Sequence, residues 1–422
     1  MLDLLQAKLP FNLNEDFLKE QVGNYLNMYL CADKLWLIHG TDKDLLQTAE
    51  MTVPDPINYK RFNPPRCELK TKVKDRYPFS GPERSFTLDF AKLARFCSDW
   101  QLEQKILLII DEKAPGNTLI NLKVAKQDDW QISCLNLSSN SHCVYLVSDL
   151  AQSAHLEVDC LSITNMQSAA ELKATLPANF NDGKRLRAEQ GFIIYSDVAK
   201  DAKFSSTSCN FKASSLNDAV VHLNEDGAEA EAYAAMFVNN QASQSTHLEI
   251  RHHAPHTTSF MLCNGVVQAK CTGEFVGRGY IDKASHGTNC RQESRFLTLD
   301  KTAKAKTYPL LIIDEYDVIA GHATSVGQLN PDALYYMQSR GLTSDLAKKL
   351  MTRGFLIPVV DHFQSQLLQK LGIKLLEWQT NYTANSEEEL AEQAEWANLA
   401  LESNQQAIDI DEDKILSNKD VK

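Results

Sequence analysis

Apolar and polar positions along this chain follow two different periods, and the change falls near residue 330. Between Asn117 and Gly327 the apolar runs are short and many alternate with period two, the signature of half-buried strands. Such runs cover 118–124, 130–135, 143–147, 155–163, 191–195, 219–223 and 233–238. They continue at 247–251, 259–262, 266–269, 274–276, 295–299 and 310–314. So many strands at close spacing permit a sandwich, a barrel or a β-solenoid. The segments 260–268, 274–282 and 296–303 recur at uneven spacing, so periodicity leaves that choice open.

Outside this region the pattern is helical. The spacing predicts helices over 14–29 and 88–104, the second with Leu88, Phe90, Leu93, Phe96 and Cys97 apolar. A loop is expected at 54–82, where Pro56, Pro64, Pro65, Pro78 and Gly81 cluster. Asn330-Pro331 opens a helix with a capping side chain and a proline at the first helical position. Gly341 is placed to end it in the left-handed conformation. A second helix is expected over 344–353, with Leu346, Ala347, Leu350 and Met351 on one face, until Pro358 breaks the chain. Val360, Phe363, Leu367, Leu371 and Leu375 form a further apolar face. Residues 387–401 are expected to be helical, and 405–422 disordered. The implied organisation is a mixed α/β unit at 1–116, a β core at 117–327, a helical domain at 328–385 and an acidic tail at 386–422.

Charge narrows the partners. The formal net charge is -12, which argues against nucleic acid, since phosphate binding needs clustered Lys and Arg. Residues 386–422 alone hold eleven Asp/Glu against three Lys, so about two-thirds of the net charge is local. No apolar run is long enough for a membrane helix, and the first residues lack a secretory pattern. Ten cysteines without such a pattern imply reduced thiols and a cytoplasmic location.

Several constellations carry candidate chemistry. Gly273, Gly277 and Gly279 lack the Gly-Lys-Ser/Thr ending of a phosphate loop and lead into no helix, so they are expected in tight turns. His247, Glu249, His252, His253 and His256 are zinc- or iron-compatible types, but the spacing fits no closed motif and ordinary hydrogen bonding is the alternative. Cys263, Cys271 and Cys290 suit an iron–sulfur cluster or a persulfide, or small buried core positions. Glu315 and Asp317 would share a strand face and offer paired carboxylates for glycoside chemistry.

The segment from Asp317 to Gly327, with His322 between Gly321 and Ala323, resembles the SufB/SufD family of iron–sulfur cluster assembly proteins. It is followed, as in that family, by a helix reading Leu334-Tyr335-Tyr336-Met337-Gln338-Ser339-Arg340-Gly341. His253-Ala254-Pro255-His256, Gly265-Val266-Val267 and Pro309-Leu310-Leu311-Ile312-Ile313 extend the likeness upstream. The resemblance implies a mainly β fold, a right-handed parallel β-helix between a mixed N-terminal domain and a C-terminal α-helical domain. It implies a non-enzymatic scaffold that pairs with a SufB-like subunit or with itself. It further implies docking of a SufC-like ATPase through helices carrying Leu334, Tyr335, Met337, Arg340, Leu346, Leu350, Met351 and Phe355. The cargo would be a transient iron–sulfur cluster shared with a partner, and His322 the matching candidate ligand.

Departures from the pattern make the chain SufD-like. Ala320 stands where the family has a cysteine, and Gly321 and Ala323 stand where SufB-type members have glutamates. The N-terminal signature of SufD-like chains survives at best at Tyr59-Lys60-Arg61-Phe62. A β-helix polysaccharide lyase or hydrolase using Glu315 and Asp317, and a pure interaction module without metal contact, are the alternatives.

Overall fold

The computed structural model describes residues 13–31, 34–38, 45–48, 84–88, 90–99, 101–110, 117–137, 142–163, 190–211, 214–239 and 242–380. The expected loop at 54–82, Tyr59 to Phe62, and the acidic tail lie outside them.

The strands, in chain order, open with β1 (Leu26–Cys31), β2 (Lys34–Ile38), β3 (Leu45–Thr48), β4 (Arg84–Leu88) and β5 (Lys105–Ile110). Next come β6 (Asn117–Val124), β7 (Asp129–Asn136), β8 (His142–Leu150), β9 (His155–Ser162) and β10 (Gln190–Val198). β11 (Lys203–Asn210), β12 (Ser215–Leu223), β13 (Glu229–Val238), β14 (Ser243–His252) and β15 (Thr258–Val267) follow. The series ends with β16 (Thr272–Ile281), β17 (Thr288–Thr298), β18 (Lys304–Ile313) and β19 (Val318–Gln328).

From β4 onward, successive strands alternate between two sheets. A long sheet runs β19-β17-β15-β13-β11-β9-β7-β5-β1-β2-β3, and a short sheet runs β18-β16-β14-β12-β10-β8-β6-β4. Pairing is parallel along the short sheet and from β19 to β1 in the long one. Parallel neighbours need a crossover, and here each crossover is a strand of the opposite sheet. The result is a parallel β-helix, the solenoid among the options that periodicity leaves open.

Even-spaced interior residues of both sheets meet in one core, from Ile106, Ile120 and Trp130 to Val267, Phe275 and Phe296. Coil length explains why no repeat is legible. Ser215 pairs with Gln244, Thr272 with Lys304, and Lys203 with Glu229, so successive coils differ by several residues. Turns from short to long sheet place Gln127, Ser153, Asp201 and His256 at positive φ. These non-glycine residues give no turn signal in the sequence.

Helices close one end and one face. α1 (Glu15–Gly23) starts on an Asn14 cap, and the chain is already extended at Leu26, so the helix expected over 14–29 is shorter. α2 (Phe90–Asp99) replaces the expected 88–104 and adds Phe90, Leu93 and Cys97 to the inter-sheet core. α3 (Pro331–Ser339) follows β19, then α4 (Ser344–Val360) and α5 (Gln366–Gln379). α4 runs through Pro358 rather than stopping before it. Leu356, Val359 and Val360 on both sides of the proline are buried, and at roughly 2 kcal/mol per buried aliphatic side chain packing outweighs the lost hydrogen bond.

α4 and α5 fold back over the outer face of the long sheet. Leu356, Val359, Phe363, Leu367, Leu371 and Leu375 form a second core with Leu135, Leu161, Tyr233, Phe237 and Val266. Arg353 and Glu377 bridge the two helices at 3.2 Å, both almost fully buried. The sheets also begin earlier than the expected boundary at 117. β1 and β5 belong to the long sheet and β4 to the short one, because Lys105–Ile110 is apolar on both faces and so shows no alternation. Among the described residues no helix is long and apolar enough to cross a membrane.

Candidate functional site

A solenoid needs closing at its ends, because its last strands carry unpaired backbone groups and uncovered side chains. α2 joins the core near β4, whereas the β18–β19 end has no such helix among the described residues. The exposed large apolar side chains among the described residues collect on β18, β19 and the turn between them, and on α3, which follows. They are Tyr308, Ile312, Ile313, Tyr316, Ile319, Val326, Tyr335 and Tyr336, with Tyr316 fully exposed and Ile319 at 65%. Grouping of this kind in one stretch, with none elsewhere in the described residues, marks an interaction surface.

His322 stands in the middle of this end. It pairs in register with Gln292, in the inward row that also holds Met261 and Ala232. Its ring is exposed and has no hydrogen-bond partner among the described residues. Directly beneath, Gln292 is buried. Its Nε2 donates to the Leu310 carbonyl at 3.0 Å, while its Oε1 has no partner. Beside it, Ser294 Oγ bonds Thr324 Oγ1 at 2.6 Å and Thr307 Oγ1 at 2.7 Å. Ala320 lies over Cys290 in the same way. Cys290 is buried, and burial pushes its thiol up, so it is held in the protonated, unreactive form.

The other candidates are separated by the strand geometry. His247 and Glu249 face outward on the short sheet. His247 Nε2 bonds Ser245 Oγ at 3.0 Å, and Glu249 accepts from Arg251 at 2.6 Å and Arg278 at 3.3 Å. His252 faces inward, bonded to Thr257 and Ser259 at 2.7 and 2.8 Å. Burial brings its imidazole down to about 4, helped by nearby His253. His253 bridges His222 and Asp282, and His256 binds Asp226. These imidazoles are spent on hydrogen bonds. No group of three or more His, Cys, Asp or Glu that would hold a metal occurs among the described residues.

Gly273, Gly277 and Gly279 lie within β16, not in turns. Their missing side chains make room inside the solenoid, a close-approach role that strand glycines also serve. Cys263, Cys271 and Cys290 are buried and form no disulfide among the described residues. Glu315 is engaged in the turn before β19, where its carboxylate accepts from Ala284 N and Tyr316 N at 2.8 Å. Those bonds hold it below the usual carboxylate range.

The helical candidates divide by exposure. Tyr335 and Arg340 are exposed, and Arg340 Nη2 donates to Tyr336 Oη at 3.1 Å. Leu334, Met337, Leu346, Leu350, Met351 and Phe355 are half-buried, Phe355 packing against the second core. No residue of α3 is buried. Sequence reasoning misses the β18 contribution, although a strand apolar on both faces (Tyr308-Pro309-Leu310-Leu311-Ile312-Ile313) signals one.

Residues 133–355, just over half of the chain, match the family model of the SUF system FeS cluster assembly SufBD core domain. The chain belongs to the SufB/SufD family. Its matched region spans the coils from β7 to the middle of α4, and so includes the open end and His322. This SufB/SufD-family chain is 32% identical to the iron–sulfur cluster assembly protein SufD of Bacillus subtilis, over 38% of this chain and 37% of the relative. It is 28% identical to a SufBD family protein of Mycobacterium tuberculosis, over 38% of this chain and 19% of that protein. It is also 28% identical to a SufBD family protein of Synechocystis, over 34% of this chain and 32% of the relative. The alignments thus span from about a fifth to little more than a third of these relatives' length.

Proposed function

We propose that the chain is a SufD-like, non-catalytic scaffold subunit that docks end-on, through β18 and β19, against a SufB-like subunit or a second copy. The observation that carries this reading is that, among the described residues, six of the eight exposed large apolar side chains lie on β18, β19 and the turn between them, where both are edge strands. β19 runs eleven residues without proline, so it presents a free edge for strand addition. Pro309 suits β18 to an edge position.

In this arrangement His322 contributes one imidazole to a cluster carried between subunits. A single exposed nitrogen does not hold a cluster, and the nearest inward thiol, Cys290, is buried and protonated. The other donors come from the partner. Gln292 lies beneath His322 with an unpartnered Oε1; in the docked state that oxygen would accept from one ring nitrogen and leave the other free toward the partner. α3, α4 and the exposed Tyr335 and Arg340 form the docking face for a SufC-like ATPase, and movement of that partner would reach β19 directly through Leu329 and Asn330.

The test is anaerobic iron and sulfide reconstitution of the chain alone, with a SufB-like partner, and with partner and ATPase. Iron retained only in the complex, and reduced by His322→Ala, supports the ligand role. Unchanged iron in that variant removes it. No effect of the chain on iron in any mixture would leave a pure interaction module.

A further inference from the structure

Toward the open end, the turns that lead from the long sheet to the short one carry lysine. Residues 268–271 and 299–306, which include the start of β18, hold Lys270, Lys301, Lys304 and Lys306 against one acid, Asp300. All four lysines are exposed. The two turns are stacked: Lys270 N donates to Thr302 Oγ1 at 3.0 Å, and Lys304 N to the Cys271 carbonyl at 2.9 Å. Asp300 is turned back on Thr302, accepting from its N at 2.7 Å, and Glu274 reaches Lys306 at 4.0 Å. The corner keeps a surplus of positive charge on a chain whose net charge is -12. The opposite turns, 199–202, 224–228, 253–257, 282–287 and 314–317, hold seven Asp/Glu against two Lys.

α5 ends on the lysine side. Gln379 Nε2 donates to the Phe211 carbonyl at the turn after β11, and Thr380 caps the helix. From β11 to β17 along the long sheet is three strand spacings, about 14 Å. Residues 381–422 lie outside the described ones, and their first acid, Glu387, is seven residues from Thr380, an extended reach of about 23 Å. Glu388, Glu389, Glu392 and Glu395 follow, with no Lys or Arg before Lys414.

We propose that the segment Glu387–Glu395 docks on this lysine corner of its own chain. Lys304, Lys306 and Tyr308 alternate onto the outer face of β18, so the docked segment borders the wall of the last coil. Opposite charge draws it to this corner, and the acidic turns opposite repel it. Attachment through α5 supplies it at an effective concentration in the millimolar range. Each exposed pair is weak, so docking needs several lysines acting together and is lost in high salt. It is independent of whether a partner docks at the end of the solenoid.

Zero-length carbodiimide coupling of the full chain at low ionic strength, read by peptide mass spectrometry, should join Lys301, Lys304 or Lys306 to Glu387–Glu395. At about 1 M NaCl, where the screening length is about 3 Å, the links should disappear. In a mixture of isotope-labelled and unlabelled chains they should stay within one isotope. Mixed links would assign the corner to the tail of a second copy and overturn docking in cis. In the variant carrying Glu387→Gln, Glu388→Gln and Glu389→Gln, an amine-reactive ester should acetylate the three lysines about threefold faster than in wild type at low salt. Lys283, on the opposite corner, should react equally in both. Absence of the links in wild type, equal rates at the three lysines, or an equal rise at Lys283 overturns the proposal.

Discussion

Replacing Gly279 by alanine tests whether the β16 glycines serve packing. A Cβ at this position lies 2.6 Å from Cys290 Sγ, 2.9 Å from Gln292 Nε2 and 3.0 Å from Leu311 Cδ2. Comfortable contacts are about 3.5–4.0 Å, so the overlap with sulfur approaches 1 Å. Cys290 lies on β17 and Leu311 on β18, each held in register by its own sheet, so neither retreats without moving a strand. Overpacking typically costs about 1–3 kcal/mol. Three simultaneous overlaps place Gly279→Ala near the top of that range, and the smaller entropy of the unfolded alanine chain offsets about 0.4–1 kcal/mol. The expected net loss is about 2 kcal/mol by urea unfolding followed through tryptophan fluorescence. Gly321 is the control, since nothing lies within 4 Å of its added Cβ, and Gly321→Ala should stay within about 0.5 kcal/mol of wild type. Cys290→Ala in the Gly279→Ala background removes the closest overlap and should recover about 1 kcal/mol relative to additivity. Equal stability of Gly279→Ala and wild type, or equal damage from Gly321→Ala, would refute the packing argument.

Glu249→Leu strands the buried Arg278 without its carboxylate and should cost about 3–5 kcal/mol, read from the same urea curves. Ile319→Lys and Val326→Asp change exposed positions and should leave unfolding within about 0.5 kcal/mol. On the proposed end-on docking, either should abolish the complex with a SufB-like subunit or a second copy in light scattering after size exclusion, and an unweakened complex would remove that docking surface. His252 titrates at about 4 when folded and 6.5 when unfolded, so its neutral form stabilises the fold above pH 6.5. That stability, about 3 kcal/mol, disappears as pH falls from 6.5 through 4. His252→Gln should remove this part of the acid sensitivity, and an unchanged pH profile would count against it.

Local chemistry was legible wherever one residue decides the backbone. Asn330 caps α3 by accepting from Asp332 N at 2.9 Å, Pro331 begins it, and Gly341 follows at φ +98°. The alternating runs from Trp130 to Leu310 fall on strands for the same reason, since one face is apolar core. Strands such as β11, Lys-Phe-Ser-Ser-Thr-Ser-Cys-Asn, were not legible, because the second core covers the outer face of the long sheet and both faces are buried. His322 was legible only through the likeness of its neighbourhood. What isolates it, the unpartnered Gln292 amide oxygen beneath and the uncovered strands around it, depends on pairing across about thirty residues, which no local pattern records.

The uncovered last coil also bears on how much of this subunit a cell holds. In a stack where each coil touches only its neighbours, opening begins at the end with the fewest contacts. β18 and β19 each have one lateral neighbour, so an undocked copy would fray at this end and expose Tyr308 to Val326 to proteases. A partner docked as proposed would add a further coil and raise that threshold. Subunit ratios would then be set by degradation of the unpartnered copies as well as by synthesis.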